Sequence, residues 1–176
     1  MAVTISRTEL LEDGDDAAFR QLIHDALGFS TRLLEIRNML GEVIGLSGPA
    51  FSILIAIDHL SLKRDVGISQ VSDHLHQSGA FVTLEVAKLV TAGLVDKFAN
   101  PDDGRRVIVR VTDKARALLA ELVETQRPVN DAIFAGLNSR EFRDFARIIA
   151  KLIAGTEGSY ALLRYKAEQR RNIATR

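Results

Sequence analysis

Two short stretches carry residues whose type and spacing suit chemistry with a large anion. One holds Asp103, Arg105 and Arg106, with Arg110 shortly after, in a run of turn formers from Asn100 to Gly104. A guanidinium is always charged and presents fixed donors that match phosphate oxygens or enter a narrow, electronegative groove. Asp103 is placed to orient one of these arginines. Taken alone, such a tip reads first as an ordinary solvated charged turn. The second stretch is Gln77-Ser78-Gly79-Ala80, which opens an apolar-periodic segment. There Ser78 and the free N–H groups of a helix start can hold a phosphate.

Other chemistries find little support. With no cysteine, thiolate metal sites, disulfides and cysteine nucleophiles are excluded. The four histidines are His24, His59, His74 and His76. His74 and His76 point to well-separated directions on a helix, so they do not share a metal comfortably, and no metal or cofactor is expected. There is no phosphate loop, no Gly-x-Ser-x-Gly elbow and no His-Glu-x-x-His. Asp102-Asp103 is explained as a turn former rather than a carboxylate pair. The chain is not expected to be an enzyme.

The elements that must position the two stretches follow from composition and period. In 176 residues, 47% hydrophobic and 26% charged, there is enough apolar material for a buried core. The longest clean apolar run, Ile53 to Ile57, is far short of a membrane span. The start lacks an apolar signal core, so a cytoplasmic protein is expected. Twenty-three basic groups balance twenty-three acidic ones, so any basic surface is local. Residues 1–60 hold four basic and nine acidic groups, and residues 115–176 hold eleven and seven.

Helical spacing predicts helices over 15–40, 49–61, 69–76 and 79–92, with Ser47 and Ser69 as caps and Gly93 as a stop. Val82, Val86 and Leu89 form the buried face of the fourth, leaving Ala80, Leu84, Ala87, Lys88 and Thr91 opposite and Thr83 at the edge. Phe81 and Leu84 are expected at the surface; Phe81 reads equally as a contact residue or as packing. Leu94 to Phe98 and the alternating Val107, Val109 and Val111 predict a two-stranded hairpin. Thr112 caps the next helix, which Pro128 kinks or ends. Ser139 caps a last helix reaching about residue 170.

Helix, short helix, tight turn, helix, hairpin is the order of a winged helix-turn-helix. The expected fold is therefore mainly α with a small β-hairpin wing, flanked by N- and C-terminal dimerisation helices. Its divisions are an arm and dimerisation helix over 1–46, a DNA-binding lobe over 47–112, and C-terminal dimerisation helices over 113–176. The second helix of the motif would enter a major groove and the wing would follow the backbone. Ser69, Gln77, Ser78, Ala80, Phe81, Thr83, Leu84, Lys88, Arg105 and Arg106 are the candidate DNA contacts, with Asp103 orienting the wing. The long flanking helices carry more apolar surface than a small winged domain covers, so a homodimer on a palindromic site is expected.

The order of motifs resembles the multiple-antibiotic-resistance regulator (MarR) family of transcription factors. Gly93-Leu94-Val95, Lys97, Asp103 with Arg105, the alternating strand and Thr112 resemble its wing signature. The stretch 68–90 with Val82-Thr83 resembles its helix-turn-helix, and 46–57 its preceding helix. Residues 137–153 resemble its dimer-forming final helix. Leu84 stands where the family often carries arginine, and Ala115 where it often carries glycine. The resemblance implies a homodimeric repressor on double-stranded DNA, relieved by a small, often aromatic, effector. The effector would sit between the dimer helices and the winged lobe, where His24, Arg32, Arg37 and His59 are candidates. The competing reading is a winged-helix protein-interaction module without specific DNA binding, motivated by Leu84, Phe81 and the neutral charge.

Overall fold

A computed structural model describes residues 2–62, 65–101, 103 and 106–174. The chain divides into two compact units, Met1–Gln126 and Arg127–Arg176.

In the first unit, a single 3-10 turn (Thr8–Leu10) precedes α1 (Ala17–Val43). Asp16, the residue before α1, is buried. It accepts hydrogen bonds from the Thr4 backbone N–H and hydroxyl, both at 2.6 Å, and pairs with Arg20. These contacts tie the N-terminal arm to the helix start. α2 (Gly48–Ser61) begins as expected at Ser47, whose hydroxyl accepts from the Ala50 N–H at 3.4 Å. Its Phe51, Ile53, Leu54 and Ile57 are almost fully buried. α1 and α2 meet closely. A Cβ on Gly41 would lie 2.8 Å from the Phe51 Cβ, and one on Gly48 would collide with the Asn38 amide.

Next come β1 (Val66–Gly67), α3 (Ile68–Leu75), α4 (Gly79–Thr91), β2 (Val95–Ala99), β3 (Val107–Val111) and α5 (Asp113–Phe134). The sheet has three strands in the order β1-β3-β2, all antiparallel, with Lys97 opposite Val109 and Val66 opposite Val109 on the other edge. Two residues are too few to show a period, so β1 is not legible as a strand. Val71, Val82, Val86, Leu89, Leu94, Val95, Val109 and Ala115 close over α2 as one core. A second cluster joins Leu40 of α1, Phe51 of α2 and Leu122 of α5.

Two expected helix starts move by a residue or two. α3 is capped at Gly67, not Ser69, and Gln70 three residues on reaches back to accept from the Gly67 N–H at 3.0 Å. α6 (Ser139–Ala174) is capped by Asn138, not Ser139. The Asn138 amide oxygen accepts from Arg140 and Glu141, and Glu141 accepts from the Asn138 N–H at 2.8 Å. Pro128 lies within α5, which continues to Phe134. A proline removes one helical hydrogen bond and can be accommodated in a long helix.

In the second unit, Phe134 packs edge-on against Phe142 with ring centroids 5.9 Å apart. Among its described residues α6 has none buried, and Phe142, Ile149, Leu152, Ile153, Tyr160 and Leu163 are exposed. α1 likewise exposes Leu22, Leu27, Leu34 and Met39. Among the described residues no single helix is long and apolar enough to cross a membrane.

Candidate nucleic-acid interface

The turn between α3 and α4 is built from local bonds. α3 ends with His76 in the left-handed region at φ 51°. The Gln77 N–H donates to the Ser72 carbonyl at 3.1 Å, and the Ser72 hydroxyl donates to the Gln77 carbonyl at 2.6 Å. Ser78 caps α4, its hydroxyl accepting from the Phe81 N–H at 3.2 Å. At the far end Gly93, at φ 70°, takes the left-handed turn that reverses the chain into β2. The Thr112 hydroxyl donates to the Gly93 carbonyl at 2.9 Å and accepts from the Ala115 N–H at 3.2 Å. One side chain thus joins the end of α4 to the start of α5.

α4 turns Val82, Val86 and Leu89 into the core, as the period predicts. Ala80, Thr83, Leu84, Ala87, Lys88 and Thr91 form its exposed face, with Leu84 58% exposed. Thr83 donates to the Gly79 carbonyl at 2.7 Å. Phe81, expected at the surface, is instead half-buried and packs against the core. The sequence reading missed Glu85, which is buried and pairs with Lys88 at 2.5 Å. Its position three residues after Val82 was the available signal.

The wing is closed by backbone bonds. The Asn100 N–H donates to the Arg106 carbonyl at 3.0 Å, and the Arg106 N–H to the Asp103 carbonyl at 2.8 Å. The Asn100 side chain accepts from the Asp103 N–H at 3.3 Å. Asp103 and Arg106 are exposed; Arg105 lies outside the described residues. Arg106 and Ser69 line one cleft between the wing and the start of α3, together with Asp65, Gly67, Asn100 and Val107. Arg110 pairs with Asp65 at 2.7 Å and lies over the Phe98 ring. That pair ties β3 to the loop before β1.

A second cleft, of about 300 Å³, lies between α1, α2 and the α3–α4 turn. Leu34, Asn38, Pro49, Ser52, Gln77 and Phe81 line it. Its walls are mostly apolar with a few polar groups, the make-up of a small-molecule site. His24, Arg32, Arg37 and His59 are not among its lining residues. His24 is exposed on α1, and Arg32 pairs with Glu35 at 3.4 Å. Arg37 is half-buried with its guanidinium 4.8 Å from the Phe51 ring centre, and burial lowers its pKa. His59 stacks on His74 with centroids 5.8 Å apart. Burial, then the charges of His59 and His76, pull the His74 pKa down. Among the described residues no group of three or more potential ligands could hold a metal ion.

These elements define a winged helix-turn-helix protein. Solved structures of MarR-type regulators share the arrangement, all at low sequence identity. BldR of Sulfolobus solfataricus superposes with a TM-score of 0.64 at 24% identity, over 79% of this chain and 96% of that one. A mutant MarR of E. coli complexed with operator DNA gives 0.60 at 20%, over 77% and 94%. BpsR of Bordetella bronchiseptica, whose DNA binding is regulated by 6-hydroxynicotinic acid, gives 0.61 at 23%, over 75% and 98%. In sequence, the chain is 22% identical over 89 residues to the HTH-type transcriptional regulator BilQ of Clostridioides difficile (strain CD3). That match spans 51% of this chain and 60% of the relative's length. No family model matches. The fold is that of the MarR-type regulators.

Proposed function

We propose that the protein is a sequence-specific, DNA-binding transcriptional regulator acting in the cytoplasm, with no catalytic activity. The observation that carries this reading is the exposed face of α4. Apart from Lys88 it is made of small and apolar residues, held by a bonded turn and flanked by the wing that bears Arg106. Small side chains allow close approach to base edges, and a methyl-bearing face suits thymine methyls. The start of α3, the α3–α4 turn and the wing, through Ser69, Gln77, Ser78, Arg105 and Arg106, supply the phosphate contacts, with Asp103 shaping the wing.

The active form is a homodimer on a palindromic operator. The exposed apolar residues of α1 and of α6 support this, because such surface is costly to leave in water. On this reading 1–46 and 113–176 pair the subunits and 47–112 binds DNA. Occupation of the operator represses transcription. A small aromatic molecule in the cleft beside Phe81 relieves it, because Phe81 stands on α4 and a ligand there favours one placement of that helix over another.

Selection from a random duplex pool tests the reading. Enrichment of an inverted repeat with half-sites about ten base pairs apart is the expected result. No enrichment at low and moderate salt would favour the second reading, a protein-interaction module. The exposure of Leu84 and the pairing of Lys88 with Glu85 favour that alternative.

A further inference from the structure

We propose that Glu85 is a positioning residue that holds the Lys88 ammonium and so keeps the groove-facing side of α4 electrically neutral. The proposal rests on the DNA-binding reading above. Lys88 is the only basic residue of α4 and Glu85 the only acidic one. Glu85 is 4% exposed. Its Oε1 accepts from the Lys88 Nζ at 2.5 Å, and its buried Oε2 receives no hydrogen bond among the described residues.

The two partners are unequal. The Lys88 side chain is 61% exposed and, by itself, free to swing toward a phosphate. The Glu85 carboxylate is shut away from water, and Lys88 is the cation that compensates it. Drawing Lys88 onto DNA would leave a buried, unpaired carboxylate, which costs far more than one exposed phosphate contact returns. Lys88 therefore stays on Glu85. What α4 offers the groove is Ala80, Thr83, Leu84, Ala87 and Thr91, a surface with shape and methyl groups but no charge. Attraction to the backbone is left to the wing and the turn, and α4 discriminates without adding affinity for every sequence.

The test compares wild type with Glu85→Gln, which keeps the shape and removes the charge, on the selected operator and on a random-sequence duplex. Released from its partner, Lys88 should neutralise about one more phosphate. The slope of log K against log salt should steepen by about 0.9, and random-duplex affinity should rise several-fold at about 0.1 M salt. The double variant Glu85→Gln with Lys88→Met should return to the wild-type slope. Lys88→Met alone leaves the Glu85 carboxylate unpaired, so the double variant, which removes both charges, keeps the test open if a single variant does not fold. An unchanged or shallower slope in Glu85→Gln, or a slope shallower by about one in Lys88→Met, overturns the proposal while the DNA-binding reading stands. Wild-type protein that binds neither duplex overturns both.

Discussion

Ser72 and Gln77 close the α3–α4 turn by a reciprocal pair of bonds, hydroxyl to carbonyl at 2.6 Å and N–H to carbonyl at 3.1 Å. Ser72→Ala removes one of the two. A lost hydrogen bond of this kind costs about 1 kcal/mol. The expected outcome is a modest fall in stability, read by urea denaturation. Hydrogen exchange should also quicken at the Gln77 amide more than at core amides such as that of Val109. Uniform quickening would show that the turn is held by packing instead.

Thr112 serves two elements with one hydroxyl, capping α5 and bonding the carbonyl of Gly93. Thr112→Ala should cost about 1 to 2 kcal/mol, the upper range for a lost cap, because both contacts vanish together. Thr112→Ser should recover most of this. A serine variant as unstable as the alanine variant would place the effect in the methyl group.

Leu122 is the α5 residue that completes the cluster with Leu40 and Phe51. It is 1% exposed. Leu122→Ala should destabilise the chain by about 2 to 5 kcal/mol through lost burial and the cavity left behind. A loss below about 1 kcal/mol, measured by thermal or urea unfolding, would mean that α1, α2 and α5 collapse readily around the gap.

His74 has its pKa lowered first by burial, then by His59 and His76. Its folded value thus lies below the unfolded value of about 6.5, and the unfolded chain binds more protons between the two. The stability linked to this group is complete above the unfolded value. It falls away as pH drops through the window toward the lowered folded value. The melting temperature should decline as pH falls from about 7 to 5, and His74→Gln should decline less. Equal declines in the two proteins would assign the pH dependence elsewhere.

The sequence was most legible where one residue does a local job. Ser47 and Thr112 announce helix starts because a hydroxyl at that position bonds an amide three residues on. Val82, Val86 and Leu89 announce their face because the core wants a stripe at helical period. The shift from Ser139 to Asn138 was also within reach, since Glu141 stands three after Asn138 and completes a capping box. Other features depend on residues far apart in the chain. β1 exists only because Val66 finds Val109. Phe81 is half-buried because it packs against the core built around α2, and the cleft it lines draws on three separate segments. His24, Arg32, Arg37 and His59 were chosen for chemical type on the right helices, which gives no information about which side of a helix faces a hollow.

Gly48 and Asn38, in contact where α1 crosses α2, both line the cleft beside Phe81. At that crossing a side chain fills the space where even one added methyl would collide. This makes the cleft mechanically lopsided. Its α1–α2 side is closely packed, while the opposite side is made by Leu75, Gln77 and Phe81 around the α3–α4 turn. Replacing Gly48 would set the new Cβ against the Asn38 side chain, so the change would fall first on the α1–α2 crossing that forms one wall of the cleft.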